Sequence, residues 1–230
     1  MSKKVLELNQ VNYRYQDAES DDYILKDINY EFELGKTYAI CGKSGSGKTT
    51  LLSLISGLET NYEGEILYEG KNLKTIDLDH YRNTDIGIVF QSYNLLPHLT
   101  ALENIVLSMD ISHVQVENKK EQAMNLMESV GLNRNQADRR VLKLSGGEQQ
   151  RVAIARSLSY QPSIIIADEP TGNLDKDTED EIMTIFKKLA HQEKKCIIIV
   201  THSKNVRNHV DVIYDLKKEN NKNRKSSRKD

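Results

Sequence analysis

The chain is poor in cysteine, in long apolar runs and in net charge, and each shortage excludes something. Cys41 and Cys196 are the only cysteines in 230 residues. Two are too few for a disulfide framework, and both sit in apolar, strand-like runs, so they read as buried thiols of a reducing compartment. No apolar run approaches the ~18 residues of a membrane helix. The longest, such as 51–55 and 196–200, are core-sized, so an integral membrane protein is not expected. Lys3 and Lys4 resemble the start of a secretory leader, but Glu7, Asn9 and Gln10 interrupt any apolar region behind them. A net charge of -2 argues neither for nor against nucleic acid. Its distribution is uneven: residues 217–230 carry seven Lys/Arg and two acids, a basic tail on an acidic body. That tail reads as a solvated, disordered end, or as a contact with anionic lipid at roughly 1 kcal/mol per basic residue.

What is present suits one domain. Hydrophobic residues make up 38% and charged residues 29%, and a chain of this length buries roughly 70% of its unfolded surface. Ile28, Tyr30, Phe32 and Leu34 alternate with Asn29, Glu31 and Glu33, the period of a half-buried strand. Residues 5–15 and 64–70 read similarly, with a polar break and loop at 17–22. A short apolar strand at 37–41 enters a glycine-rich loop. A helical pattern follows (Leu51, Leu52, Leu54, Ile55, Leu58), with Gly57 near its end. A buried strand is predicted at 86–90, and beyond Gln91 the pattern is helical for about 70 residues. Thr100 with Glu103, and Ser145 with Glu148, are capping-box signatures. Gly131 suits the C-terminal end of a helix over 119–130. Strands return at 164–167 and 197–200, separated by a helix with Ile182, Ile185, Phe186 and Leu189 on one face. The expectation is an α/β domain over 1–216. It has a parallel core, an N-terminal antiparallel β subdomain and an α-helical subdomain inserted at approximately 92–160, whose flanks are the two halves of the parallel core.

The chemistry begins with Gly42-Lys43-Ser44-Gly45-Ser46-Gly47-Lys48-Thr49, which fits GxxxxGK[ST] between a strand and a helix, the P-loop. Its glycines let backbone N–H groups close on phosphate oxygens, and the helix N-terminus adds partial positive charge. Lys48 reaches β- and γ-phosphates, and the Thr49 hydroxyl can hold Mg²⁺. Ile164-Ile165-Ile166-Ala167-Asp168-Glu169 is an apolar strand ending in carboxylates. Asp168 would sit beside the P-loop and ligate Mg²⁺ directly or through water, and Glu169 would polarise an attacking water. Acids after a strand also simply open turns, and Pro170 fits that reading too.

Leu144-Ser145-Gly146-Gly147-Glu148-Gln149 is, taken alone, an N-cap with a capping box. Continued as LSGGEQQRVAIARSL and followed by DEPTGNLD, it resembles the signature-to-Walker B segment of ABC-transporter ATPases, and the resemblance spans 5–215. It implies a P-loop NTPase (RecA-like) core whose subunits stack head to tail, the signature helix of one aimed at the γ-phosphate held by the other. The implied cofactors are ATP and Mg²⁺. The implied nucleotide-binding residues are Tyr15 (with Tyr13 as its competitor for adenine stacking), Gly42, Lys43, Ser44, Gly45, Ser46, Gly47, Lys48, Thr49, Thr50, Gln91, Ser145, Gly146, Gly147 and Glu148. The implied metal ligands are Thr49, Gln91 and Asp168. The implied catalytic residues are Glu169, the switch histidine His202, the Q-loop Gln91 and Lys48. Asn173-Leu174-Asp175 matches the D-loop. A lone histidine after a strand is ordinarily structural; order and spacing assign His202 otherwise.

The resemblance further implies an ATP-hydrolysing subunit that drives a separate integral membrane permease, as a homodimer with ATP sandwiched at the interface. It would be peripheral on the cytoplasmic face of a bacterial cell membrane, with no nucleic-acid partner, and the segment 91–99 would dock a permease coupling helix. PTGNLD and the run at 90–97 resemble the branch of macrolide-export, lipoprotein-release, cell-division and antimicrobial-peptide-resistance systems. A soluble ATPase acting on ribosomes or DNA is the alternative, favoured only by the basic tail; a non-hydrolysing regulatory module is another, opposed by Glu169 and His202 together. Three departures stand out: Thr49 for the commoner serine, Ser203 where aspartate often follows the switch histidine, and a basic tail where a final hairpin is usual.

Overall fold

The computed structural model describes residues 3–15 and 23–216. The polar break at 17–22 and the tail at 217–230 lie outside the described residues. Two sheets form the frame. The first is antiparallel, in the order β2-β1-β4-β5, from β1 (Lys4–Tyr13), β2 (Leu25–Glu33), β4 (Glu63–Tyr68) and β5 (Lys71–Asn72). The second is parallel, in the order β6-β7-β8-β3-β9, from β3 (Thr37–Cys41), β6 (Ile86–Val89), β7 (Ile164–Asp168), β8 (Cys196–Thr201) and β9 (Val212–Asp215).

β3, β6, β7 and β8 are largely apolar because both faces are covered, whereas β9, at the sheet edge, alternates half-buried Val212 and Tyr214 with exposed Ile213 and Asp215. Ile165, Ala167, Ile197 and Ile199 face one core, shared with the helices between β6 and β7 and with Ile182, Phe186 and Leu189. Ile164, Ile166, Ile198 and Val200 face the other, shared with Leu51, Leu54, Ile55 and the antiparallel sheet's Leu6, Leu8 and Phe32. Alternation along a strand therefore sorts side chains between two cores rather than between core and water. Cys41 and Cys196 are free and buried, as expected.

The helices are α1 (Lys48–Ile55), α2 (Leu78–His80), α3 (Ala101–Ile111), α4 (Lys119–Ser129), α5 (Arg134–Ala137), α6 (Gly146–Ser157), α7 (Lys176–His191) and α8 (Lys204–Arg207). Both anticipated capping boxes form, Thr100–Glu103 on α3 and Ser145–Glu148 on α6. Gly131 follows α4 with φ +83°, the left-handed turn that ends a helix. α7 carries Asp175 as its cap, Asp177 and Glu179 in its first turn and Lys188 and His191 in its last, a charge order matched to the helix dipole. Residues 92–99 are not helical, so the helical pattern begins later than 92. β6 stops at Val89, and Phe90 lies outside it. Among the described residues no helix is long and apolar enough to cross a membrane.

Candidate functional site

The C-terminal ends of β3, β7 and β8 converge, and the residues between strand and helix gather there. α1 is the only described α-helix without a side-chain N-cap; Gly47 occupies that position in the left-handed region, φ 90°. Its first N–H groups are thus left to an external acceptor. Gly42 admits no Cβ, which would fall 2.8 Å from the Leu216 carbonyl and onto Ser46 Oγ. Ser46 Oγ is buried and without a hydrogen-bond partner. Lys48 Nζ lies along the loop, donating to the carbonyls of Gly42 (2.9 Å) and Lys43 (3.3 Å). A loop whose backbone approaches closely, with uncapped N–H groups and an ammonium at its mouth, is chemically suited to a polyphosphate.

Asp168 ends β7 half-buried. Burial raises its carboxyl above the usual range and Glu169 raises it further, while Lys48 and the Thr49 hydroxyl pull the other way. Thr49 and Asp168 therefore offer hard oxygen donors side by side, a pair chemically suited to Mg²⁺, which takes one or two protein oxygens plus substrate phosphates. Gln91 Nε2 is 3.5 Å from where a Cβ on Gly172 would lie, and Glu169 O is at the same distance, so the Q-loop side chain reaches the loop after β7.

Glu169 follows with φ 46°, a left-handed conformation that costs a non-glycine residue about 1–3 kcal/mol. Its carboxylate is held on several sides. Oε2 accepts from Thr201 Oγ1 (3.2 Å) and the His202 backbone N–H (3.3 Å), and Oε1 lies 2.7 Å from His202 Nδ1. The glutamate side chain is 12% exposed and the histidine 69%, so the ring covers the carboxylate and keeps its own far edge in solvent. Thr201 had no signal in the sequence beyond ending an apolar strand. Ser203 caps α8, so the turn after His202 is held by a hydroxyl where aspartate is usual.

Tyr15 and Tyr13 separate cleanly. Tyr13 is buried, and its hydroxyl donates to Glu59 at 3.2 Å. Tyr15 is 54% exposed, packs edge-on against Tyr13 and brings its hydroxyl 3.4 Å from Thr50 Oγ1, at the P-loop.

The signature segment lies in a different place. Ser145, Gly146 and Gly147 line a cavity of about 460 Å³ with Asn173, Leu174 and Asp175, and no residue of 42–50 lines it. Gly147 lies hard against Thr178, where a Cβ would come within 2.6 Å of Cγ2. A Cβ on Gly146 would lie 3.2 Å from the Tyr93 hydroxyl. The Glu148 carboxylate is engaged within the chain, by Ser145 N (2.8 Å) and Gln136 Nε2 (2.7 Å), which hold its pKa below the usual range. One copy thus brings Tyr15, 42–50, Gln91, Asp168, Glu169 and His202 to one sheet edge, and leaves 145–148 elsewhere.

The segment joining the two regions is strained. Tyr93 and Asn94 both have positive φ, and Arg156 of α6, its guanidinium mostly buried, donates to both of their carbonyls. No local sequence pattern announced that clamp.

Residues 25–172 match the family model described as ABC transporter. An uncharacterized ABC transporter ATP-binding protein of Bacillus subtilis, YclH, is 48% identical over 202 residues, 88% of each chain. The lipoprotein-releasing system ATP-binding protein LolD of Treponema denticola is 38% identical over 226 residues, covering 96% of this chain and 98% of that one. The cassette MJ0796 of Methanocaldococcus jannaschii, solved as a dimer, superposes with a TM-score of 0.84 at 37% identity, covering 93% of this chain and 94% of that one. A post-hydrolysis state of the same cassette, bound to ADP and Pi, superposes at 0.83. With its P-loop NTPase core and its helices between β6 and β7, the chain belongs to the ABC transporter family.

Proposed function

We propose that this chain is the ATP-hydrolysing subunit of a transporter whose membrane path lies in a separate permease, and that it works as a homodimer with ATP enclosed between copies. As an ABC ATPase it binds and hydrolyses ATP; the residue roles, the metal and the partners are our reading. Backbone N–H groups of 42–50 and the Lys48 ammonium bind the phosphates, and Tyr15 stacks on adenine. Thr49, Asp168 and Gln91 hold Mg²⁺, which when bound neutralises charge on the β- and γ-phosphates. Glu169 accepts a proton from the attacking water as general base. His202, paired to it, orients that carboxylate and presents its far edge to the γ-phosphate. Gln91 orients the water and connects the site to the helical subdomain, whose segment 91–99 docks the permease on the cytoplasmic face of the membrane.

The observation that carries the dimer is the separation within one copy. The N-terminus of α6, with Ser145 and two glycine N–H groups, is an anion site, yet its cavity contains no phosphate-loop residue. A head-to-tail partner supplies the missing half. The dimeric MJ0796 cassette and the lipoprotein-releasing system of which LolD is the ATP-binding protein support this assembly. Phosphate release by the chain reconstituted with its permease tests the activity; no turnover in that complex contradicts it.

A further inference from the structure

A third acidic residue is tied to both loops that carry Glu169 and His202. Glu179 lies half-buried in the first turn of α7. Its Oε1 accepts from Thr171 Oγ1 at 2.8 Å and from Ser203 Oγ at 2.9 Å, and its Oε2 accepts from Asn205 Nδ2 at 3.0 Å. Thr171 stands two residues beyond Glu169, and Ser203 directly follows His202. One carboxylate on a rigid helix therefore pins both loops at once.

The connection continues to the reacting groups. Ser203 N donates to Thr201 Oγ1 at 3.0 Å, and Thr201 Oγ1 donates to Glu169 Oε2 at 3.2 Å. On the other side, Thr171 is buried and Gly172 N donates to Glu169 O at 3.1 Å. Glu179 thus reaches Glu169 by two routes and His202 by one.

Residue type at 203 matters to this arrangement. The Ser203 hydroxyl accepts from the N–H groups of Asn205 (3.2 Å) and Val206 (3.4 Å) while donating its own proton to Glu179. Aspartate, frequent in the family at this position, can accept the same two bonds but has no proton to give. It would also set a second negative charge against Glu179, and like charges at that range repel. Serine at 203 and glutamate at 179 are a matched donor and acceptor.

We propose that Glu179 is a positioning residue for ATP hydrolysis, fixing the loops of Glu169 and His202 so that the ring stays on the carboxylate. It rests on the catalytic reading of those two residues.

The test uses the full chain and measures kcat, KM for ATP and Tm together for Glu169→Gln, Glu179→Gln, Ser203→Asp and the double variant Ser203→Asp/Glu179→Gln. Ser203→Asp is expected to lower kcat about 10- to 100-fold, the range typical of displaced supporting groups, with KM and Tm unchanged. The double variant is expected to regain most of that loss, because a glutamine amide can donate to the new aspartate. Wild-type kcat in Ser203→Asp, or no recovery in the double variant, overturns the role. A fall in Tm that accounts for the lost activity assigns a structural role and overturns it too. If Glu169→Gln itself turns over normally, the catalytic reading fails first; if Glu169→Gln is inactive while the 179 and 203 variants behave as wild type, only the positioning role fails.

Discussion

His202 Nδ1 and Glu169 Oε1 stand 2.7 Å apart, joined across 33 residues of chain by the adjacency of β7 and β8. The glutamate is otherwise held by Thr201 and by the backbone of His202, at a backbone angle glutamate rarely adopts. A carboxylate fixed this tightly has its position set before substrate arrives. Glu169→Gln should therefore keep ATP binding and lose turnover by about 10²–10⁴-fold, the usual worth of a general base. Steady-state phosphate release beside equilibrium nucleotide binding checks both halves of that statement.

Lys48→Ala removes the ammonium that lies against the carbonyls of Gly42 and Lys43. A hydrogen bond to a charged group is worth about 1.5–3 kcal/mol, so ATP affinity should fall about 10- to 100-fold. Titration calorimetry reads this directly, and unchanged affinity would count against the phosphate cradle.

The ionised Asp168 carboxylate weighs on the stability of the nucleotide-free chain. Burial and the neighbouring Glu169 raise its folded pKa, so the folded chain binds that proton more tightly than the unfolded chain. Its contribution to stability is then present below the unfolded pKa and is lost as pH rises through the raised folded value. At neutral pH the ionised group is a burden. Asp168→Asn should give a nucleotide-free Tm no lower than wild type while abolishing magnesium-dependent hydrolysis. A marked drop in Tm would mean that the carboxylate is structural.

Gly42→Ala tests the loop's steric demand. The new methyl would lie 2.8 Å from a backbone carbonyl, that of Leu216, which cannot swing aside as a side-chain tip can. Overpacking of this kind costs about 1–3 kcal/mol, measurable as a lower denaturant midpoint, and nucleotide binding should weaken with it.

Local patterns carried much of this architecture. The apolar runs of β7 and β8 read as buried strands, and the boxes at Thr100–Glu103 and Ser145–Glu148 fixed the starts of α3 and α6, because capping is decided within four residues. Gly131 marked a helix end because its φ of +83° suits glycine. Asp168, Glu169 and His202 are singled out by motif order, and the structure brings them with the P-loop to one sheet edge. What escaped are long-range side-chain bonds. Arg156 grips Tyr93 and Asn94 across more than sixty residues, and Glu179 reaches Ser203 and Asn205 across more than twenty. No periodicity encodes such pairs, since they exist only once the strands are ordered side by side. The box at Asn133–Gln136 escaped for another reason: α5 is four residues long and has no apolar period to flag it. The tail and the polar break at 17–22 remain expectations from composition.

Sedimentation velocity of Glu169→Gln with magnesium and ATP decides whether two copies share the nucleotide site. A dimer is expected with ATP and a monomer without it. Adding Ser145→Arg should return the protein to a monomer that still binds ATP, since Ser145 is exposed and away from its own P-loop. A monomer at saturating ATP, or a dimer indifferent to arginine at 145, would contradict a shared site.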